Sequence, residues 1–199
     1  MNERAARWYA CGLCEQEYHG VVKCALGWAC WKTYLDRPER DWARRLAMIG
    51  LGNGLHGLHE AKHYEEALAV REAELATLRR IGAPERDILG VQGGLAELHG
   101  LLGRGEEALS LHRDVFYGYL KLLGNEDFDT LRGANNYANC LLSLQRFEEA
   151  KSLFRKNIPV ARRVLGESDH IVLGMRQNFA LSLYKDEGAT LADLCEAVT

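Results

Sequence analysis

The chain has 199 residues, of which 47% are hydrophobic and 27% are charged, with 25 Lys and Arg against 28 Asp and Glu. This composition is that of a globular protein and excludes an intrinsically disordered chain. The formal net charge of −3 gives no general attraction to nucleic acid, which needs a basic surface that displaces counterions. No segment approaches the roughly 18 to 20 consecutive apolar residues that span a membrane, so we expect no membrane partner.

The N-terminal residues and the cysteines indicate the compartment. The charges between Met1 and Arg4 are not followed by an apolar signal core, so we expect a soluble protein of the cytoplasm. A reducing compartment suits isolated, core-type cysteines, and a disulfide framework is not expected. The six cysteines are Cys11, Cys14, Cys24, Cys30, Cys140 and Cys195.

A single long period runs through the sequence, and three independent markers share it. The triplet Glu-Glu-Ala occurs three times, at 65–67, 106–108 and 148–150. Glycines recur with the same spacing, at Gly82, Gly124 and Gly166, and so do leucines, at Leu89, Leu131 and Leu173. A shared period of this length, about 42 residues, predicts an array of structural repeats.

The apolar residues within each repeat have helical spacing. Ala150, Leu153 and Phe154 follow the i, i+3, i+4 pattern of a helix face rather than the alternation of a strand. Gly166 suits a helix C-terminus, and Ser168 or Asp169 can cap the next helix. Each repeat is therefore predicted to be a helix, a short turn, a second helix and a longer loop. One such pair cannot bury its apolar face alone, but stacked neighbours can.

The register divides the chain into five repeat units within a single domain over 1–199. We predict an all-α fold of antiparallel helix pairs, with about nine to ten helices. The predicted units are about 4–38, 39–83, 84–125, 126–167 and 168–199.

The repeat at the centre of the chain resembles the long tetratricopeptide repeat of kinesin light chains. The resemblance rests on Leu123–Leu131, Asn135–Ala138 and Arg146–Ala150, and it extends over roughly residues 20–190. Phe128 stands where that family's loop usually has proline, and Tyr137 where it has leucine. The resemblance implies a right-handed superhelical solenoid in which the first helix of each pair lines a concave groove.

The same resemblance implies a non-enzymatic scaffold that holds a protein or peptide partner in the groove and needs no cofactor. Amide side chains there would bind the backbone of an extended peptide, unless they are merely solvated or structural. Asn136 adjoins the row and could instead brace the helix packing. The inward residues are Arg132, Asn135, Asn139, Leu142 and Ser143, then Gln177 and Lys185 in the next unit, and His56 and Glu60 in an earlier one.

The N-terminal segment supports an alternative function. Residues 8–18, with Cys11 and Cys14 spaced as C-x-x-C, resemble the last part of a RING-CH zinc finger. Two thiolates at this spacing can hold one zinc, but a tetrahedral site needs four ligands. The alternative is a RING-CH-type ubiquitin ligase with a truncated finger within residues 1–20, whose repeats recruit the substrate. Otherwise Cys11 and Cys14 pack as small apolar residues on a first helix.

Two further motifs are predicted to be coincidental. His59, Glu60 and His63 spell the H-E-x-x-H motif of zinc hydrolases, which needs both histidines on one continuous helix. The register places His63 in the turn between two helices, which disfavours that chemistry. The G-x-G-x-x-G segment at 52–57 falls within a predicted helix instead of between a strand and a helix. An aromatic row at Trp28, Trp31 and Tyr34 is predicted to pack in the core.

Overall fold

The computed structural model describes residues 16–58 and 61–185. Within these ranges the chain folds into eight helices: α1 (Gly20–Tyr34), α2 (Trp42–His56), α3 (Ala61–Ile81), α4 (Glu85–Leu101), α5 (Gly105–Leu123), α6 (Phe128–Ser143), α7 (Phe147–Leu165) and α8 (His170–Lys185). None of these helices has the length and apolar character needed to cross a lipid bilayer.

The predicted fold class is confirmed. The described residues form antiparallel helix pairs joined by short connections, and they contain no β-strand. The described part of the chain holds eight helices, against the nine to ten predicted for the whole sequence. The helices predicted beyond these eight, before residue 16 and after residue 185, lie outside the described residues.

The chain forms two compact units, Met1–Gly103 and Arg104–Thr199, called unit 1 and unit 2. In unit 1, helices α1 to α4 pack in sequence, each against the next. In unit 2, α6 packs against α5, α7 and α8. The boundaries of the five repeat units remain a prediction.

Aspartates and glycines set the ends of several helices. The side-chain oxygens of three aspartates each accept a hydrogen bond of 2.8 Å from the backbone N–H two residues later, namely Asp41, Asp127 and Asp169. These bonds satisfy amides that the first helical turn leaves free. Gly166 ends α7 with φ of 89°, a left-handed conformation that costs glycine little. Of the two predicted caps, Ser168 and Asp169, it is Asp169 that accepts this bond, and the predicted helix end at Gly166 is confirmed.

The core of unit 2 is apolar and continuous. Phe154 of α7 is 1% exposed and packs against Phe179 of α8, with ring centroids 6.2 Å apart. Burial of such side chains is the main favourable term in holding the helices together. Other fully buried members are Leu131, Leu141, Met175 and Leu183.

In unit 1, helices α1 and α2 approach each other closely because glycines face the contact. A Cβ placed on Gly54 would lie 2.8 Å from the Cα of Cys24, and one on Gly27 would lie 3.0 Å from the Cα of Leu51. The G-x-G-x-x-G segment lies within a helix, as predicted, since Gly52 and Gly54 lie within α2 and Gly57 caps its end.

The prediction for the aromatic row was wrong for Trp28. Its side chain is 44% exposed, and Trp31 and Tyr34 are only half-buried. The guanidinium groups of Arg44 and Arg37 lie over the rings of Trp31 and Tyr34, at 5.8 and 5.0 Å. The apolar spacing identified a row of side chains. Because α1 carries large apolar side chains on its exposed side as well, spacing alone did not identify its buried side.

Candidate functional site

The predicted groove residues on α6 form a single stripe. Arg132, Asn136 and Ser143 are exposed, and Asn135 and Asn139 are half-buried. Their spacing of three and four residues places them on one side of the helix. The opposite side is buried and carries Thr130, Gly133, Ala134, Ala138 and Leu141 among others. The polar stripe therefore belongs to the side of α6 that the core does not use.

Helix α8 continues this surface, and two contacts join it to α6. The amide nitrogen of Asn178 donates a hydrogen bond of 2.7 Å to the side-chain oxygen of Asn139. Near the start of both helices, the rings of Phe128 and His170 lie 6.4 Å apart. Gln177 and Lys185 are exposed on α8. The α6–α8 face is defined here as Arg132, Asn135, Asn136, Asn139, Ser143, Gln177 and Lys185.

Several polar groups of the α6–α8 face already have partners. Arg132 donates to Asp129 at 2.8 Å, and its guanidinium lies 5.8 Å from the centre of the Phe128 ring. The Ser143 hydroxyl donates to the carbonyl of Cys140 at 2.7 Å. Asn139 is held by Asn178. The side chains of Arg132, Asn139 and Ser143 are thus held in defined positions, which lowers the conformational entropy lost when a ligand binds.

Asn135 differs from these residues. Its side-chain oxygen is buried, yet it accepts no hydrogen bond from any residue that the structure describes. A buried acceptor without a donor costs free energy. A donor supplied by a ligand, after a small rotation of the amide, would remove that cost.

Asn178 was missed by the sequence analysis, although the signal was present. The segment Gln177-Asn178-Phe179-Ala180 follows Asn135-Asn136-Tyr137-Ala138 by one repeat period. Asn178 is thus the counterpart of Asn136, which was predicted to be a possible brace. In this pair of helices it is Asn178 that braces, through Asn139. Asn136 itself is exposed.

The candidate residues of unit 1 have other roles or fall outside the description. His56 lies at the end of α2, with its Nε2 atom 3.9 Å from a carboxylate oxygen of Glu97. Glu60 and His59 lie outside the described residues. His63 was predicted to lie in a turn, but it belongs to the first turn of α3, where its Nδ1 atom is 2.9 Å from Glu66. The helix α3 begins earlier in its repeat than the register predicted.

The described residues offer no constellation for metal or thiol chemistry. Among them, no group of three or more His, Cys, Asp or Glu side chains could hold a metal ion. Burial raises the pKa of the Cys30 thiol to about 11, and burial likewise raises the pKa of Cys24 and of Cys140. These thiols are therefore protonated at neutral pH and are poor nucleophiles. Cys11 and Cys14 lie outside the described residues, and the RING-CH resemblance stays a prediction.

Comparison with known proteins supports the repeat assignment. The model of the tetratricopeptide repeat family matches residues 87–163. No curated protein matches the chain.

Solved structures show where the fold is found elsewhere. A putative kinesin light chain of Podosopora anserina with nearly identical TPR-like repeats is 19% identical, with a TM-score of 0.67 over 89% of this chain and 82% of that chain. A variant form of the same protein is 18% identical, with a TM-score of 0.67, over 89% and 80%. BtubC (BKLC) from P. vanneervenii is 16% identical, with a TM-score of 0.66, over 88% and 78%.

These similarities establish the fold. The chain has the tetratricopeptide-like helical repeat fold, of the kind seen in kinesin light chain-like repeat structures. Tetratricopeptide repeats are protein-interaction scaffolds. At identities this low, the resemblance defines the fold, and the partner has to be argued from the site.

Proposed function

We propose that this chain is a non-enzymatic scaffold of the cytoplasm that binds an extended segment of a protein partner across the α6–α8 face. The observation that carries the proposal is the polar stripe on two adjacent helices joined by Asn139 and Asn178. Side-chain amides both donate and accept hydrogen bonds. They can therefore pair with the backbone of a peptide whatever its sequence.

The two ends of the stripe add cations. Arg132 lies toward the start of α6 and Lys185 at the end of α8, and both are exposed. Charged groups at the rim of a binding surface contribute more to association rate and specificity than to affinity. The central amides, and Asn135 above all, are the residues on which affinity should depend.

Replacing Asn135 and Asn139 by alanine tests this function. A displayed library of random peptides is selected against the wild-type chain, and the best peptides are measured by fluorescence anisotropy. The Asn135→Ala, Asn139→Ala double variant should bind them at least about tenfold more weakly, because each lost hydrogen bond is worth about 1 kcal/mol. The helical circular dichroism should stay unchanged.

The matched control is Asn125→Ala, which removes an exposed amide from the loop between α5 and α6. It should bind the selected peptides as the wild type does. Asn135→Ala alone separates the binding effect from the loss of the Asn178 contact, because Asn135 is not part of that bond. Equal affinity of the wild type and the double variant would contradict the assignment of this face.

The RING-CH alternative has no support from the described residues, because Cys11 and Cys14 lie outside them. A zinc hydrolase at His59, Glu60 and His63 rests on residues of which only His63 is described. Both remain hypotheses from the sequence.

A further inference from the structure

A cavity of about 280 Å³ lies among helices α2, α3 and α4 of unit 1. Ile49, Leu78 and Val91 form its apolar wall, and Gly90 leaves space beside them. Its polar wall consists of two arginines and two carboxylates: Arg45, Arg71, Glu74 and Asp87. An apolar cavity with a few convergent polar groups is the usual form of a small-molecule site.

The charges of this cavity occupy positions that another repeat fills with uncharged side chains. Counting from the Glu-Glu-Ala triplets, Arg71 corresponds to Phe154 and Glu74 to Asn157. Phe154 is 1% exposed and belongs to the core of unit 2. The side chains of Arg71 and Glu74 are 14% and 6% exposed. Removing two charges from water is costly, so packing alone does not account for them.

Both terminal nitrogens of Arg71 are engaged by its neighbours. One of its terminal nitrogens donates to Glu74 at 2.7 Å, and the other donates to the side-chain oxygen of Asn53. Burial raises the pKa of the Glu74 carboxyl, and the charges of Arg71 and Arg45 oppose that rise. This side of the cavity is a fixed, water-poor polar wall, in which ionic contacts are stronger than at the surface.

Arg45 is only partly engaged. Its Nη2 atom donates to Asp87 at 2.8 Å, while its Nε atom is buried and has no hydrogen-bond partner among the described residues. Arg80 and Arg146 show the complete arrangement, because each holds a glutamate through both Nε and Nη2. Arg45 thus has the same pair of donor atoms, Nε and Nη2, but its Nε atom makes no hydrogen bond.

Asp87 can be replaced as the partner of Arg45. Its side chain is 42% exposed, and an ion pair of that exposure contributes little to stability. A carboxylate inside the cavity would accept from Nη2 of Arg45 in place of Asp87, and from the buried Nε once the guanidinium turns toward the cavity. Such a paired, charge-assisted contact is stronger and more directional than the single bond to Asp87.

We propose that this cavity binds a small monocarboxylate, with its carboxylate on Arg45 and a short branched or aromatic apolar part against Ile49, Leu78 and Val91. The volume of about 280 Å³ equals about nine waters at about 30 Å³ each, which limits the ligand to a small metabolite. A neutral amide of the same shape loses the ion pair. Inorganic phosphate has no group for the apolar wall. The site is independent of the α6–α8 face.

The test uses 3-methylbutanoate and phenylacetate as probes, with 3-methylbutanamide and inorganic phosphate as comparisons. Binding to the full chain is measured by titration calorimetry and by ligand-observed NMR. Both carboxylates should bind saturably, and the amide and phosphate should bind at least about tenfold more weakly. Arg45→Gln should weaken carboxylate binding at least about tenfold.

Two further variants keep the test decisive. Arg80→Gln is the matched control, because it removes the same charge and an ion pair with a carboxylate at an exposed site of unit 1. It should leave carboxylate affinity unchanged. Asp87→Asn removes the competing carboxylate and should tighten binding by about threefold or more, which corresponds to at least about 0.6 kcal/mol.

Three results would overturn the proposal. The first is no saturable binding of either carboxylate at about 10 mM. The second is equal affinity of the wild type and Arg45→Gln, and the third is equal affinity of the acid and its amide. If Arg45→Gln does not fold by circular dichroism, Asp87→Asn decides, and an unchanged or weaker affinity in that variant rejects the site.

Discussion

At the scale of single residues, one hydrogen bond links neighbouring repeats in unit 2. Asn178 donates to Asn139 across α8 and α6, and both side chains are half-buried. Removing one partner leaves the other, which is half-buried, without its bond, and this costs more than the bond itself contributes. This contact should therefore matter to stability as well as to the shape of the α6–α8 face.

Asn178→Ala should lower the free energy of unfolding by about 1 to 2 kcal/mol. The change is measured by urea denaturation followed by circular dichroism. The control is Asn136→Ala, the equivalent residue one repeat earlier, which is exposed and should change stability by less than about 0.5 kcal/mol. Similar losses in both variants would show that the Asn178 contact has no special role.

The half-buried His112 should make unit 2 sensitive to acid. Burial lowers the pKa of His112 from its ordinary 6.5 to about 4. Between these values the unfolded chain binds a proton at this site and the native chain does not. The free energy of unfolding should then fall with decreasing pH from about 6.5 to about 4, by up to about 1.4 kcal/mol per pH unit. Above pH 6.5 the site contributes no pH dependence.

Urea denaturation of the His112→Gln variant at several pH values checks the predicted pH dependence of the free energy of unfolding. The variant should lose most of the decline between pH 6.5 and 4, because the substituted side chain does not titrate. His170→Gln removes a histidine whose side chain is 78% exposed and should keep the wild-type decline. If His112→Gln and the wild type have parallel stability curves, another group controls the acid response.

At the scale of helices, glycine has opposite effects at two positions. Gly54 lies where α2 contacts the backbone of α1, and a Cβ there would be 2.8 Å from the Cα of Cys24. Gly174 lies within α8, and nothing is within 4 Å of its Cβ position. Alanine favours a helix over glycine by about 1 kcal/mol. Replacement by alanine should therefore raise the free energy of unfolding at Gly174, but not at Gly54.

Gly54→Ala should destabilise the chain by about 1 to 3 kcal/mol, because the backbone of α1 has to move to admit the methyl group. Gly174→Ala should stabilise it by about 0.5 to 1 kcal/mol. Both are measured by thermal and urea unfolding against the wild type. A stabilising Gly54→Ala would mean that α1 and α2 are not in close contact.

The same scale explains which helix ends could be predicted. Gly166 and Asp169 were identified because a left-handed cap and an N-terminal cap depend on a few local backbone atoms. The start of α3 was misplaced, because the register was transferred from later repeats to a repeat whose helix begins before His63. Local chemistry fixes a cap, but a shared period does not fix the length of each helix.

At the scale of the whole molecule, periodicity predicted the fold class, and tertiary packing decided the rest. The long period implies stacked helix pairs wherever it occurs, so the all-α repeat followed from a few markers. The period does not determine which side chain occupies a given position in each repeat. Arg71 occupies the position of Phe154, and only the packed helices show that its charge faces a cavity.

The candidate site was predicted in part for the same reason. Helical spacing was enough to place the α6 residues on one side. It could not show that Asn139 accepts from Asn178 or that the Asn135 oxygen lacks a donor among the described residues. Those facts depend on the distance between two helices that are separated by a whole repeat in the sequence.

The division into two compact units has a practical consequence for spectroscopy. All four tryptophans, Trp8, Trp28, Trp31 and Trp42, precede residue 104 and so belong to unit 1. Intrinsic fluorescence excited at the indole band therefore originates in the unit that holds the arginine-lined cavity. Unit 2, which carries the α6–α8 face, contains no tryptophan and gives no indole fluorescence. A tryptophan introduced at exposed Tyr184 in a background lacking the other four would give the second unit its own optical signal.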